Sequence, residues 1–450
     1  MYQKWYYIVY STHLIREKQP NTLQLGDDVM QLDSVFTLLI VAIAYGFIIF
    51  GRKNKAAITF GLALVIAAFK FVRGIEFENI SRIVDFDTLS LLTGMMIIVA
   101  FLSKSGFFEF FSIRVVKIGG KRFYLTLSFL MIIVALTSAF LDNVVTILVM
   151  TPMIFLISDI LQLSPIPLVM LTLAMDNIGG AGTLIGSPLN LVIGSISGYS
   201  FNDFIVKMGP VAIFAFVGVL MYYKRRIKVN QKLLEHIEKL KEIDEKKAIT
   251  DSKMMVTSVV VFLITVVLFM LHSILNVELG VIALLGGTFL IIVFSDGYES
   301  VAEHIDWDML FFFAGLYIMS YALEEIGVTQ MIANTLLPLK SMPILSMMII
   351  YGLAILTVPI LNNVPAALII APVIKILVAS GFSQSLWWTF AIGANFVTNL
   401  TPLGAVQNIV AVNMLEKQIH RKFGFIEFVR WMITPVLISL VIGFIYNIFI

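Results

Sequence analysis

Residues Ser138-Ala-Phe-Leu-Asp-Asn-Val-Val-Thr146 place a carboxylate and an amide, Asp142 and Asn143, inside a run of almost forty mostly apolar residues. An ionisable side chain at bilayer depth costs roughly 2–3 kcal/mol or more, so in a membrane protein it marks a functional site by default. The pattern recurs in Pro359-Ile-Leu-Asn-Asn-Val-Pro-Ala-Ala367, where Asn362 and Asn363 stand 220 residues after Asp142 and Asn143. The recurrence predicts an internal duplication.

Composition places the chain among membrane proteins. Of its 450 residues, 59% are hydrophobic and 13% are charged, whereas soluble proteins carry about 25% charged residues. The formal net charge of +2 gives no indication of nucleic-acid binding. The absence of cysteine excludes disulfides, thiolate metal sites and cysteine nucleophiles. From this composition we predict an all-α polytopic protein of the cell membrane. Because the sequence shows no catalytic or metal-ligand cluster, we also predict that the protein is not an enzyme and needs no cofactor.

Apolar runs long enough to span a bilayer divide the chain into two similar halves. We predict an N-terminal tail without structure (1–31), a first transporter repeat (32–223), a cytoplasmic linker with ten Lys or Arg (224–253) and a second transporter repeat (254–450). The segment Asp85-Phe-Asp87 matches Asp306-Trp-Asp308 at an offset of 221 residues, and Gly94 matches Gly315 at the same offset. Blocks with near-constant offsets support the duplication.

Each half is predicted to hold five spans and one re-entrant hairpin. The first half has spans at 32–50, 56–72, 88–103 and 204–222, a broken span at 166–197, an interfacial amphipathic helix at 105–122 and the hairpin at 123–161. The second half repeats the plan, beginning with spans at 254–271, 279–294 and 309–323. We prefer a hairpin to a kinked span because each arm looks shorter than a full span. Five spans is an odd number, so the second half must be inverted, which the positive-inside rule supports.

Two polar stretches interrupt the broken spans, and they match each other at an offset of 218 residues. Asn177, Thr183, Gly186 and Asn190 correspond to Asn395, Thr401, Gly404 and Asn408. We expect both hairpin tips and both broken helices to meet near the bilayer midplane. Thr146 and Thr183 would begin helical halves whose N–H groups hold an anion or polar solute, and Asn143, Asn190, Asn363 and Asn408 would add amide groups. Gly, Asn and Thr also mediate close helix packing in membranes, which is the alternative reading of these residues.

Asp142 and Asp176 are the two carboxylates expected at membrane depth near the breaks of the first half. Either can bind the proton or sodium ion that drives a coupled transporter. The alternative is that each aspartate caps a half-helix. Because the repeat partner of Asp142 is the neutral Asn362, we predict a single coupling site at Asp142.

These motifs resemble the ion transporter superfamily, in its branch of arsenite permeases, melanosomal P proteins and sodium/proton antiporters, with citrate and dicarboxylate carriers more distant. The resemblance rests on three blocks, 85–100, 138–144 and 177–190, and extends over about residues 55–450. It implies two inverted repeats, a homodimer and a transport portion that moves against a scaffold. The family's hairpin-tip positions then correspond to Asp142, Asn143, Asn362 and Asn363. Its unwound-helix positions correspond to Gly186, Asn190, Gly404 and Asn408. It also implies a sodium ion near Asp142, Asn143 and Gly186, and a cytoplasmic ATPase subunit as a partner.

The leading functional prediction is a secondary active transporter of a small inorganic anion or oxyanion, with arsenite or antimonite first, coupled to protons or sodium. The alternative is a sodium/proton antiporter. The tips Leu-Asp-Asn and Leu-Asn-Asn differ from the Ser-Asn-Thr of dicarboxylate carriers, which disfavours a citrate or succinate role. Without cysteine, arsenite would be held as a hydroxylated solute.

Overall fold

The computed structural model describes residues 24–51, 54–119, 122–227, 245–295 and 297–449. Within these ranges all regular secondary structure is helical. Helices of nine residues or more number nine before residue 228 and nine after residue 244 in the described chain. They are α1 (Gln24–Phe50), α2 (Lys55–Ala68), α3 (Phe86–Lys104), α4 (Phe107–Gly119), α5 (Phe123–Phe140), α6 (Asn143–Ile160), α7 (Pro165–Ala181), α8 (Pro188–Ser197), α9 (Phe201–Arg226), α10 (Ser252–Leu275), α11 (Leu279–Phe294), α12 (Trp307–Glu325), α13 (Val328–Leu336), α14 (Pro343–Leu361), α15 (Asn363–Ala379), α16 (Ser385–Val397), α17 (Val406–Ile419) and α18 (Phe425–Ile448).

Eight of the described helices are long and apolar enough to cross a membrane. This confirms the prediction of an all-α polytopic membrane protein. The helices also follow one order in both halves. A short helix after the third long one (α4, α13) precedes a helical hairpin (α5–α6, α14–α15) and then a broken pair (α7–α8, α16–α17).

The two halves interlock through their second and third helices. Helix α3 packs on α11, and the corresponding helix α12 packs on α2. Each contact requires a glycine, because the backbones of the two helices come too close for a side chain. A Cβ atom added at Gly94 would lie 2.3 Å from the carbonyl carbon of Ala283, and one added at Gly315 would lie 2.8 Å from Cα of Phe60. A contact that recurs with the roles of the halves exchanged is what a two-fold relation produces. The predicted pair Gly94 and Gly315 therefore marks equivalent helix crossings.

Both ends of the first hairpin lie near the linker. At the start of α5, the hydroxyl of Tyr124 donates to the carbonyl of Ile227, which follows α9, at 3.0 Å. At the end of α6, Asp159 accepts a hydrogen bond from Gln418 of α17 at 3.0 Å. Helix α18, which follows α17, begins near the linker too, since Arg226 stacks 3.9 Å from the ring of Trp431. The hairpin thus leaves and re-enters at one end of the molecule.

The second hairpin opens at the opposite end. Lys340 precedes α14 and its ammonium group lies beside Gly381, which follows α15. Close by, Gln384 bonds to the hydroxyl of Tyr199 at 3.1 Å, and Tyr199 precedes the end of α9 that is remote from the linker. These contacts support the inverted arrangement, whose orientation in a bilayer stays a prediction.

The absence of cysteine from the natural chain permits a direct test of the inverted orientation. We expect Ser300→Cys, beside the linker end of α3, to react with a membrane-impermeant maleimide from the cytoplasmic side. Lys340→Cys should react from the outer side, because it lies at the open end of the second hairpin. The measurement is labelling of inside-out and right-side-out vesicles, with the cysteine-free protein as the blank. Labelling of both positions from one side would contradict the inversion.

The linker is tied to the α3–α4 corner at its described end. Glu245 forms ion pairs with Lys117 and Arg114 of α4, and the Thr250 amide donates to the Ser105 carbonyl at 3.1 Å. The hydrogen bond from Lys117, then a backbone hydrogen bond and then the hydrogen bond from Arg114 lower the pKa of Glu245 to about 2. Residues 228–244 of the predicted 224–253 linker lie outside the described residues.

Three sequence predictions need correction. Helix α1 begins at Gln24, so part of the predicted tail 1–31 is helical. Helix α2 ends at Ala68 instead of Val72. The hairpin arms are not short, since α5 and α6 each have 18 residues, about 27 Å of helix. The hairpin is recognised by where its ends lie and not by the length of its arms.

Candidate functional site

The first hairpin turns at Asp142, which caps α6. Its Oδ1 accepts hydrogen bonds from the backbone amides of Val144 at 2.8 Å and Val145 at 3.4 Å. Its Oδ2 is buried and has no hydrogen-bond donor within the described structure. Both sequence interpretations therefore apply, because one oxygen caps the helix and the other is left for a ligand. A buried carboxylate oxygen without a donor needs a proton or a cation beside it.

Glycines allow the tip to approach the break between α7 and α8. A Cβ atom at Gly180 would lie 2.4 Å from Oδ1 of Asn143, and one at Gly186 would lie 2.7 Å from the carbonyl oxygens of Gly180 and Ser138. Ser138 Oγ donates to Asn143 Oδ1 at 2.6 Å. Gly186 thus has a steric role, and Asn143 Oδ1 already has a partner.

The predicted threonines and asparagines of the breaks donate hydrogen bonds to backbone carbonyls within the protein. Thr183 Oγ1 donates to the carbonyl of Ala139, and Thr401 Oγ1 donates to that of Pro359 at 2.7 Å. The matching asparagines close the loops, since Nδ2 of Asn190 donates to the Thr183 carbonyl at 2.7 Å and Nδ2 of Asn408 to the Thr401 carbonyl at 3.0 Å. A Cβ atom at Gly404 would lie 2.1 Å from the Thr398 carbonyl oxygen. These donors hold the breaks together and do not face a solute.

Asn177 and Asn395 join the broken helices of the two halves. Nδ2 of Asn177 donates to the Asn395 carbonyl at 2.5 Å, and Nδ2 of Asn395 donates to Oδ1 of Asn190 at 2.8 Å. Both residues were predicted within unwound backbone, which is wrong, because they lie in the last turns of α7 and α16. Between the halves of the two broken pairs, residues 182–187 and 398–405 lack α-helix.

Thr146 and Thr183 do not begin helical halves. Helix α6 starts at Asn143, and the Thr146 amide is already bonded to the Asp142 carbonyl at 3.0 Å. Helix α8 starts at Pro188, so Thr183 lies within the break. The hydroxyl of Thr146 is buried and finds no partner among described residues. The predicted helix starts at these two threonines are therefore wrong, and their part in solute binding stays a prediction.

Asp176 is fully buried on α7, and neither carboxyl oxygen meets a donor in the described structure. At the 218-residue offset of the broken helices, the residue equivalent to Asp176 in the second half is Ala394. Ser138 Oγ lies 2.6 Å from the Asp176 carbonyl oxygen and 2.6 Å from Oδ1 of Asn143, so Asp176 lies close behind the tip that carries Asp142. Both belong to the first half.

One cavity of about 370 Å³ brings the two hairpin tips together. Asp142 of the first tip and Asn362 and Asn363 of the second tip all line it. Asn362 has φ 79° and ψ 161°, a strained conformation that glycine normally adopts and that clusters at functional sites. Asn363 is the first residue of α15, and its Oδ1 accepts a hydrogen bond from the next backbone amide, that of Val364, at 2.8 Å. The predicted meeting of the tips is thus present.

Five polar wall residues were missed from the sequence. They are Asn54, Lys55, Asp306, Asp308 and Gln407. The available signal was the acidic segment at the start of α12, which runs against the basic character of cytoplasmic loops. Lys55 is already engaged, since its ammonium group donates to the Ile48 carbonyl at 2.6 Å. The cavity therefore carries three carboxylates and one occupied lysine.

A family profile described as "Citrate transporter" (CitMHS) matches residues 45–393. The chain belongs to this family. It is 31% identical over 420 residues to a "46 kDa membrane protein" of Mycobacterium leprae, with 92% of this chain and 98% of that protein covered. It is 30% identical to the "Uncharacterized transporter Rv2684" of Mycobacterium tuberculosis, with 92% and 97% covered.

More distant relatives agree with the resemblance found in the sequence. The mouse P protein is 25% identical over 508 residues, which cover 94% of this chain and 60% of the P protein. The crystal structure of the YdaH transporter of Alcanivorax borkumensis superposes with a TM-score of 0.57 at 13% identity, covering 93% of this chain and 98% of that one; this likeness shows the fold alone. The predicted membership in the ion transporter superfamily is confirmed, and this member of the citrate transporter family is a multi-pass transporter of the cell membrane.

Proposed function

We propose that this transporter is a secondary active carrier that binds its coupling proton or sodium ion at Asp142 and a small polar solute between the two hairpin tips. The observation that carries the proposal is the unpartnered Oδ2 of Asp142 on a residue that lines the cavity shared by both tips. Deep within the bilayer, a charged oxygen of this kind needs a bound cation whenever the transport cycle closes the cavity to water.

The charge of the cavity favours an uncharged, hydroxylated solute. The carboxylates of Asp142, Asp306 and Asp308 line it, and their negative charges repel an anion. Arsenite and antimonite exist at neutral pH as uncharged trihydroxides, which can donate to carboxylates and accept from amides. Arsenite or antimonite is therefore our leading substrate, and a citrate-type anion with several negative charges is disfavoured.

Sodium/proton antiport is the second candidate. Asp306 and Asp308 make the mouth of the cavity acidic, and an acidic cleft concentrates cations. On this alternative the carboxylates alone exchange sodium for protons, and no solute occupies the space between the tips.

Purified protein in proteoliposomes distinguishes these functions. The internal pH and the uptake of arsenite, antimonite, phosphate and citrate are measured under an imposed proton or sodium gradient. Gradient-driven movement of arsenite or antimonite supports the leading proposal. Sodium-driven proton flux without movement of any of these solutes supports the antiporter instead. The homodimer and the cytoplasmic ATPase subunit implied by the resemblance are proposals that need separate tests.

A further inference from the structure

The turn between α17 and α18 carries a basic cleft at the linker end of the molecule. The cleft measures about 500 Å³ and combines basic side chains with one amide and one carboxylate. It is lined by Asn413, Glu416, Lys417, His420, Arg421 and Lys422. His420 follows the last residue of α17 with φ 53°, in the left-handed region that ends a helix. None of these residues lines the cavity between the hairpin tips, so the cleft is a separate site.

Two of the cations in the cleft have no acidic partner. Arg421 is neutralised, since its guanidinium group donates to both carboxyl oxygens of Glu427, at 2.8 and 2.7 Å. The carboxylate of Glu416 accepts a hydrogen bond from a backbone amide at 2.7 Å. By contrast, Lys417 and Lys422 are exposed and form no ion pair with any residue that the structure describes. Their ammonium groups therefore remain available to an external anion.

The exposed apolar stripe of α18 locates the cleft at the surface of the bilayer. Large apolar side chains are exposed along one face of this helix at Ile426, Ile433, Leu437, Val441, Ile445 and Ile448. The stripe covers 22 residue steps, about 33 Å of helix, and the hydrocarbon core of a bilayer is about 30 Å thick. Lys422 stands four residues before the stripe begins. The cleft therefore lies at the level of the lipid headgroups.

We propose that this cleft binds the phosphate headgroup of an anionic phospholipid in the leaflet on the linker side. The basic linker predicts this side to be cytoplasmic, and the cytoplasmic leaflet has a negative surface potential. Trp431, which lies 3.9 Å from the guanidinium of Arg226, is of the residue type enriched where a membrane meets water. Lys417 and Lys422 attract the phosphate, and the acyl chains lie along the stripe of α18. A soluble phosphate would lack this second contact, so we commit to a lipid.

The test measures lipid binding by the purified full-length protein in detergent. The readout is the lipid concentration that gives half of the maximal rise in melting temperature, because a ligand of the native state stabilises it. The probes are dioctanoyl phosphatidylglycerol, dioctanoyl phosphatidylcholine and glycerol phosphate. We expect phosphatidylglycerol to stabilise the protein, and the other two probes to need at least about tenfold higher concentrations, because one lacks the net charge and the other lacks the chains.

Paired substitutions assign the binding to the cleft. Lys417→Gln/Lys422→Gln should raise the half-saturating concentration of phosphatidylglycerol about 10- to 30-fold, at about fivefold for each lysine removed. Lys417→Arg/Lys422→Arg keeps both charges and should stay within about threefold of the wild type. The matched control is Lys247→Gln/Lys253→Gln, which changes two exposed lysines on the linker side but outside the cleft. It should stay within about twofold, as surface changes usually do.

Each alternative outcome overturns the proposal. Wild-type binding of phosphatidylglycerol by the glutamine pair would show that the cleft does not hold the lipid. An equal loss in the arginine pair or in the control pair would show that positive charge at this cleft does not decide binding. If glycerol phosphate acts at the same concentration as phosphatidylglycerol, the site takes a soluble phosphate and the lipid assignment fails. The proposed function stands or falls separately, because Lys417 and Lys422 do not line the cavity between the tips.

Discussion

Asp142→Asn abolishes gradient-driven transport, on our expectation, while leaving the protein folded. Asparagine is as good an N-cap as aspartate, so the bonds to Val144 and Val145 can persist. The variant removes the charge that a bound cation requires. Breaking a buried charge pair costs about 3–5 kcal/mol, so flux should fall by about 100-fold or more. The measurement is solute flux in proteoliposomes under a proton or sodium gradient, with thermal unfolding as the check on folding.

Two variants serve as controls for Asp142→Asn. Asp159→Asn changes an exposed aspartate at the far end of the same helix, and its flux should match the wild type. Asn362→Asp adds a charge at the equivalent tip and should alter ion preference more than rate. If Asp142→Asn shows wild-type flux with unchanged pH dependence, Asp142 acts only as a helix cap and binds no coupling ion. The coupling site would then be sought at Asp176, which is buried without a partner.

The sequence was sufficient to predict the duplication and the meeting of the hairpin tips, but its argument for the hairpins from short arms fails, because α5 and α6 each have 18 residues. The reason is that these features follow from motifs repeated at a near-constant offset and from polar residues in apolar runs, both of which are visible in the sequence itself. Equivalent residues such as Thr183 and Thr401 do occupy equivalent positions, since each braces the preceding hairpin. Their roles were not predictable, because a hydroxyl that binds a solute and one that bonds to a distant carbonyl look alike in sequence.

The cavity wall was predicted only in part. Asp306 and Asp308 lie next to the tips because α12 crosses to the other half, and a sequence pattern does not show which half a helix packs against. Gln407 lies beside Asn408 in the same motif, and the sequence pattern does not show which of the two side chains lines the cavity. The sodium position near Asp142, Asn143 and Gly186 stays a prediction, with the free Oδ2 of Asp142 as its best support.

Gly94→Ala should destabilise the protein strongly, and Gly61→Ala should not. The added methyl group at Gly94 would meet the backbone of Ala283 at 2.3 Å, and backbone cannot move aside without shifting α11. Overpacking of this kind costs about 1–3 kcal/mol or more. At Gly61, on α2, nothing lies within 4 Å of an added Cβ, and replacing glycine by alanine inside a helix is favourable by up to about 1 kcal/mol.

The comparison is sharp because the two substitutions are chemically identical and lie in helices of the same interlocked group. We expect the apparent melting temperature in detergent to fall in Gly94→Ala and to stay level or rise in Gly61→Ala. Gly315→Ala should behave like Gly94→Ala, since it meets Phe60 in the reciprocal crossing. Equal melting temperatures for Gly94→Ala and the wild type would show that α3 and α11 do not approach this closely. A loss in Gly94→Ala alone would mean that the halves do not exchange equivalent contacts, which removes the main packing argument for a two-fold relation between them.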